Sequence, residues 1–226
     1  MNHDHFLLRV FKTIGLTFTL GVSMSACAAT MSWKEEVLLH DGQIIVAERF
    51  YNLGGHPTLD SREHRALDQT VTFILPGSSK KITWKTDYRD SEPEPNSLNL
   101  LLLDVVNGTP YIATYPAGVI AYNKWGNPNP PYIFFKHDST VWRRISLEEF
   151  PAELIKTNVI VGRPPAKLLK SFYTFEEVVK QNYDISTKEY KAILRTPIDY
   201  GPPRPEHKGP KAPHLIAPPN TTDGKK

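Results

Sequence analysis

The sequence predicts a mainly β fold. It reads as an antiparallel, hairpin-built sheet (curled, sandwiched or closed into a partial barrel) with short C-terminal helices and a disordered Pro-rich tail. Three observations carry this. β-rich runs recur in pairs around turn residues near 41, 77, 107 and 138. Two capping-box spacings follow residue 163. Eight of the twenty prolines lie after Arg195.

In chain order, residues 1–30 read as an export signal. Arg9 and Lys12 give a positive n-region, residues 13–22 an apolar h-region, and Ser23, Ser25, Ala26, Cys27, Ala28 and Ala29 a small-residue close. The apolar stretch falls short of the ~20 residues of a spanning helix. Cys27 is the single cysteine, so no internal disulfide forms. Met24-Ser25-Ala26-Cys27 resembles a bacterial lipobox, with Met24 where Leu is usual. That resemblance implies diacylation of Cys27 and a membrane partner engaged through an N-terminal lipid anchor, because two acyl chains hold where one does not. Ala28 after the cysteine, rather than Asp, implies outer-membrane sorting with the body facing the periplasm. Two alternatives stay open: cleavage around Ala26-Cys27-Ala28 without lipid, giving a secreted or periplasmic protein, and an uncleaved anchor.

Residues 31–163 read as the β domain. Asp41-Gly42 between apolar runs signals a type I′ hairpin, which needs positive φ. Pro76-Gly77-Ser78-Ser79, Asn107-Gly108-Thr109-Pro110 and Asp138-Ser139 mark three more hairpins. Their spacing of about 30–36 residues is a weak repeat, and four hairpins are too few for a propeller ring. A single sheet folded on itself is therefore expected. The continuous apolar run over residues 98–103 predicts a central strand buried on both faces. Val159-Ile160-Val161 is expected to add a ninth strand.

Residues 164–196 read as helical. Thr174-Phe175-Glu176-Glu177 and Ser186-Thr187-Lys188-Glu189 fit capping boxes, the second opening a helix over 190–195 that Pro197 ends. Phe175, Val178, Val179, Tyr190 and Leu194 are expected to pack on the sheet. Residues 197–226 read as disordered or partly polyproline II, unable to bury enough apolar area to offset ordering entropy.

Apolar residues at 40% and charged residues at 23% exclude a wholly disordered chain. A net charge of +3 with dispersed basic residues gives no reason to expect nucleic acid. No His-Glu-x-x-His, Gly-x-Ser-x-Gly or phosphate loop occurs, and no metal or cofactor is expected. Ser78-x-x-Lys81 crosses a turn, the wrong geometry for a Ser-Lys pair. Asp87, Asp90, Glu92 and Glu94 share one loop and read as solvated charge, and His56 and His64 stand alone. Two features remain. Tyr115, Tyr122, Asn123, Trp125 and Tyr132 crowd a long connection, and rigid rings beside amides suit a glycan or protein partner in the envelope. His40-Asp41 and His137-Asp138 recur at hairpin turns, where convergence would assemble a hydrolase site.

Met31-Ser32-Trp33-Lys34-Glu35-Glu36-Val37-Leu38-Leu39-His40-Asp41-Gly42 resembles the start of a family of exported, lipoprotein-like proteobacterial proteins of unknown function. Asn107-Gly108-Thr109-Pro110-Tyr111, residues 122–132 and Phe150-Pro151-Ala152-Glu153 are similar to its later segments. The resemblance spans roughly residues 31–153 and implies export without bringing an activity. The residues themselves favour a non-catalytic binding or scaffolding module, with the exported hydrolase as the alternative.

Overall fold

Four antiparallel hairpins build the protein, and they divide between two sheets. The computed structural model describes residues 29–54, 65–86 and 98–201. Strands β1 (Ala29–Leu38), β2 (Ile44–Gly54), β3 (Arg65–Ile74) and β4 (Lys81–Lys85) join β9 (Phe172–Tyr173) in a sheet of order β4-β3-β2-β1-β9. Strands β5 (Leu98–Val106), β6 (Thr109–Pro116), β7 (Ile133–His137) and β8 (Trp142–Ile145) form a second sheet in sequence order. Pairing is antiparallel except for the short β1–β9 contact, and neither sheet closes into a barrel. The mainly β class stands, while the single sheet is corrected to two. β1 begins at Ala29, two residues inside the segment read as signal. Among the described residues no helix is long and apolar enough to cross a membrane.

The sheets meet through one core. Val37, Ala47, Val71, Phe73, Ile82 and Trp84 of the first pack with Leu98, Leu100, Leu103, Val105, Ile112 and Ile133 of the second. Strand alternation explains the first set, since residues two apart share a face. Around the fourth hairpin, Lys80 Nζ donates to the Ser139 carbonyl (2.6 Å) and Trp142 Nε1 to that of Thr83 (2.8 Å).

β5 shows why residues 98–103 are continuously apolar. A bulge leaves Leu101 unpaired between Leu100↔Thr114 and Leu102↔Ala113. The extra residue shifts the pleat, so Leu98, Leu100, Leu103 and Val105 face the shared core. Leu101 and Leu102 face a second cluster with Tyr111, Phe150, Leu154 and Ile193. Both faces are buried, as expected, but the strand lies at the edge of its ladder rather than the centre. Side chains satisfy that edge. Asn158 Oδ1 accepts from Leu103 N–H (3.1 Å), while Asn158 Nδ2 donates to the Leu103 (2.8 Å) and Leu38 (3.0 Å) carbonyls. Gln69 Nε2 donates to the Leu98 carbonyl.

The turns obey their side chains. Asn107 (φ 50°) and Gly108 (φ 74°) make the two-residue type I′ turn between Val106 and Thr109. At the first hairpin only Gly42 has positive φ, and Leu39 N–H bonds the Gln43 carbonyl, closing a three-residue loop. The expected type I′ turn is therefore corrected. Asp41 Oδ1 accepts from Gln43 N–H (2.9 Å), an Asx bond that suits a right-handed turn followed by a left-handed glycine.

Residues 159–161 are not a strand. Their backbone groups go to side chains: Ile160 N–H to Glu35 (3.1 Å), Val161 N–H to Asn182 (3.1 Å), and the Val159 carbonyl from Asn182 Nδ2 (2.7 Å). The ninth strand is β9 instead, inside the stretch read as helical. There a 3₁₀ turn (Ala166–Leu168) precedes β9, and helices α2 (Phe175–Gln181) and α3 (Lys188–Lys191) follow, after α1 (Val119–Lys124) earlier in the chain. The Thr174/Glu177 capping box forms in full. The second does not, because Thr187 caps α3 without a side-chain bond and the helix ends after one turn. Val178 enters the core, whereas Val179 is exposed and Ile193, rather than Leu194, is the fully buried residue near Tyr190.

Candidate functional site

Residues 117–132 link β6 to β7. β6 delivers Tyr115, Gly118 opens α1 at φ 119°, and the buried Ala121 seats the helix so that Tyr122 turns outward. Opposite stand Glu189 and Tyr190 of α3 and, further on, Tyr200. With Asn99 of β5 they line an open groove of ≈520 Å³, within the ~300–1,000 Å³ of small-ligand sites. The Tyr115 and Tyr190 rings lie 4.3 Å apart at 30°. Burial pushes the Tyr115 phenol up to about 12, against the opposing Asn99 hydrogen bond. Burial also raises Tyr190 and Tyr200, and Glu189 adds to both. These three phenols are therefore neutral hydrogen-bonding groups at pH 7. Apolar ring faces with hydroxyl, amide and carboxylate groups at their edges suit a flat, hydroxylated or amide-bearing ligand.

Of the five connection residues singled out from sequence, the groove joins Tyr115 and Tyr122. Trp125 packs elsewhere, edge-on to Phe135 at 6.4 Å and under Arg144 at 5.5 Å, against the shared core. Asn123 is exposed and its carbonyl accepts from Gly126 N–H. Tyr132 is buried, and its hydroxyl bonds the Glu189 (2.9 Å) and Ala192 (3.0 Å) carbonyls and accepts from Leu194 N–H (3.2 Å). It thereby fixes the α3 wall of the groove, and burial lifts its phenol to about 12. Cys27 lies outside the described residues, as do His56, His64, Asp87, Asp90, Glu92 and Glu94.

The His-Asp turns find separate partners. His40 Nδ1 meets Asp104 Oδ1 at 2.7 Å, and its backbone N–H donates to Asp104 Oδ2 (2.9 Å). The Asp104 bond raises the His40 imidazole, while burial raises the Asp104 carboxyl. This pair opens on a cavity of ≈560 Å³ with Leu39, Leu102, Glu153 and Phe175. Asp41 and Asp138 bond the N–H groups of their own turns. His137 packs edge-on to Trp142 at 5.1 Å, and its imidazole is lowered by burial and then by Lys80. Among the described residues no group of three or more His, Cys, Asp or Glu could hold a metal ion.

Sequence reasoning expected Tyr190 to pack on the sheet, which it does, gave Glu189 a capping role and left Asn99 and Tyr200 aside, because only tertiary folding brings these positions to the groove. A second omission carried a readable signal. Glu35, Arg49 and Gln69 occupy inward positions of β1, β2 and β3, where alternation demands apolar residues. Arg49 Nη1 donates to Glu35 (2.6 Å) and Nη2 to Tyr51 (2.7 Å), with Trp33 stacked on Tyr51 at 5.4 Å. This buried network holds residues 160–162 against the first sheet, through Glu35, Arg49 and Tyr51.

Comparison with protein-family models, curated proteins and solved structures gives no match to this chain.

Proposed function

We propose that the protein is an exported envelope lipoprotein, anchored at a diacylated Cys27, whose two-sheet body is a non-catalytic binding module. Its working surface is the tyrosine groove, and its ligand is an envelope glycan or protein segment. The observation that carries the binding reading is four tyrosines converging on one open groove with Asn99 and Glu189. The signal-like first thirty residues, the lone Cys27 and the resemblance to exported proteobacterial proteins support the location. Purified peptidoglycan sacculi serve as the probe in a co-sedimentation titration. Each ring contact is worth ~0.5–1.5 kcal/mol, so the double variant Tyr122→Ala/Tyr200→Ala is expected to bind roughly 5- to 150-fold more weakly. Unchanged binding by a natively melting variant removes the groove from the account. For the anchor, a palmitate analogue should label the native chain and not Cys27→Ser; label retained by the variant contradicts it.

A second reading, hydrolysis, is favoured by the His40–Asp104 pair facing a cavity, since a general base needs an orienting carboxylate. Turnover of chromogenic esters by the native chain, lost in His40→Gln, would support it. No turnover by the native chain, or activity retained in the variant, counts against it.

A further inference from the structure

Among the described residues, Glu189 is the only charged one that lines the tyrosine groove, and no Lys or Arg there pairs with it. Its helical neighbour Lys191 lines a different cavity, beside Phe175 and Tyr183. The Tyr132 hydroxyl, bonded to the Glu189 carbonyl at 2.9 Å, fixes the backbone that carries the carboxylate. Burial and then Glu189 raise the Tyr190 and Tyr200 phenols, so its negative field reaches both hydroxyls. A field that resists a phenolate favours a cation at the same place. Pro116, Val119 and Pro131 add uncharged apolar lining.

We infer that the groove recognises a primary ammonium ion on an alkyl chain, the lysine-like side chain of a peptide, with Glu189 as its counter-ion. The inference rests on the groove being a binding site, as proposed above, and names the chemical group it reads. Tyrosine faces attract a cation through the ring quadrupole, and a carboxylate beside them adds a charge-assisted hydrogen bond. A primary ammonium carries three N–H donors, which want as many acceptors. Glu189 supplies carboxylate oxygens, and Tyr122 and Tyr200 supply hydroxyl oxygens. A quaternary ammonium would leave those acceptors unused and gains most from open rings on several sides. Here the Tyr115 and Tyr190 rings lie 4.3 Å apart, so part of each is taken by its neighbour. The alkyl stem suits the apolar lining, since lysine stems lie along apolar surface while the charged head stays polar. The same carboxylate repels an anionic ligand. A neutral sugar can donate to it but brings no charge to balance it.

The test titrates the full-length chain with Nα-acetyl-lysine methylamide and with its Nε-acetylated form, read by amide chemical shifts. The free amine is expected to give saturable shifts at Tyr122, Glu189, Tyr190 and Tyr200. The acetylated probe keeps the stem and loses the charge. It should bind about tenfold more weakly or worse, the worth of one charge-assisted hydrogen bond. Glu189→Gln should weaken the free amine by a similar factor and leave the acetylated probe unchanged. The probe comparison needs no variant, so it decides alone if the substituted chain unfolds. Equal affinity for the two probes, no saturable binding of the free amine, or unchanged amine affinity in a folded Glu189→Gln chain overturns the inference. Tighter binding of the Nε-trimethyl probe also overturns it, because the site is then a quaternary-ammonium box. Sacculi separate this inference from the function proposed above. Sacculus binding that needs Tyr122 and Tyr200 but ignores acetylation of the sacculus amines leaves the groove a binding site and removes the ammonium. Lysine-probe binding without sacculus binding keeps the ammonium and removes the sacculus as ligand.

Discussion

Replacing Glu35 with Leu should destabilise the fold far more than loss of one surface ion pair would. The carboxylate is fully buried and accepts from Trp33 Nε1 (3.1 Å), Arg49 Nη1 (2.6 Å) and Ile160 N–H (3.1 Å). Its removal strands the Arg49 guanidinium, which is equally buried and whose Nε already has no partner. An uncompensated buried charge costs about 3–5 kcal/mol, a large share of the ~5–15 kcal/mol that holds a domain together. For a body of this size, ~2–4 °C is lost per kcal/mol, so the melting midpoint should fall by roughly 6–20 °C. The partner experiment separates charge from packing. Glu35→Leu/Arg49→Met removes both charges and the orphan Nε, and should recover most of the loss, because apolar replacement of a buried pair is often neutral or better. Thermal melts of the native chain, both single variants and the double variant close the cycle. A Glu35→Leu midpoint within about 2 °C of native, or a double variant no better than the singles, refutes the reasoning.

Asn158→Leu should cost about 2–4 kcal/mol in urea unfolding, since it leaves the Leu103 N–H and the Leu103 and Leu38 carbonyls without their partner; a change under 0.5 kcal/mol contradicts its role at the β5 edge. The His40–Asp104 link should make stability fall as pH rises. Both groups hold their protons more tightly when folded, His40 through its Asp104 bond and Asp104 through burial. The His40 contribution is thus complete below its ordinary 6.5 and lost as pH climbs through the raised value. A urea midpoint higher at pH 6 than at pH 8.5, with the slope removed by His40→Gln, is the expected outcome. Tyr132→Phe should cost ~1–2 kcal/mol for the lost hydroxyl bonds and weaken groove binding by loosening α3, whereas unchanged amide exchange at Leu194 would show that α3 is held by other contacts.

Local chemistry made much of this fold legible. All four hairpins lie where paired β-runs flank turn residues, and the Thr174 capping box opens α2 as its spacing demands. The continuous apolar run of β5 announced burial on both faces but could not disclose its place in the ladder. Two covered faces look alike at a centre and at an edge that Asn158 and Gln69 satisfy. Residues 159–161 are apolar enough for a strand, yet Glu35, Arg49 and Asn182 take their backbone groups from up to 125 positions away. The groove was half legible. Tyr115 and Tyr122 stood out as rings in an unusual connection, while Tyr190 and Tyr200 reach the same place through packing that no local pattern encodes. Trp125 and Tyr132 shared the sequence signal and serve the core instead.

The central claim is that the tyrosine groove is where this protein meets its ligand. Amide chemical-shift mapping of the full-length chain during titration with soluble peptidoglycan fragments tests it most directly. Saturable shifts centred on Asn99, Tyr115, Tyr122, Glu189, Tyr190 and Tyr200 are predicted. No saturable shift at any fragment concentration would remove the glycan as the ligand, and shifts that instead gather around His40 and Asp104 would contradict the claim itself.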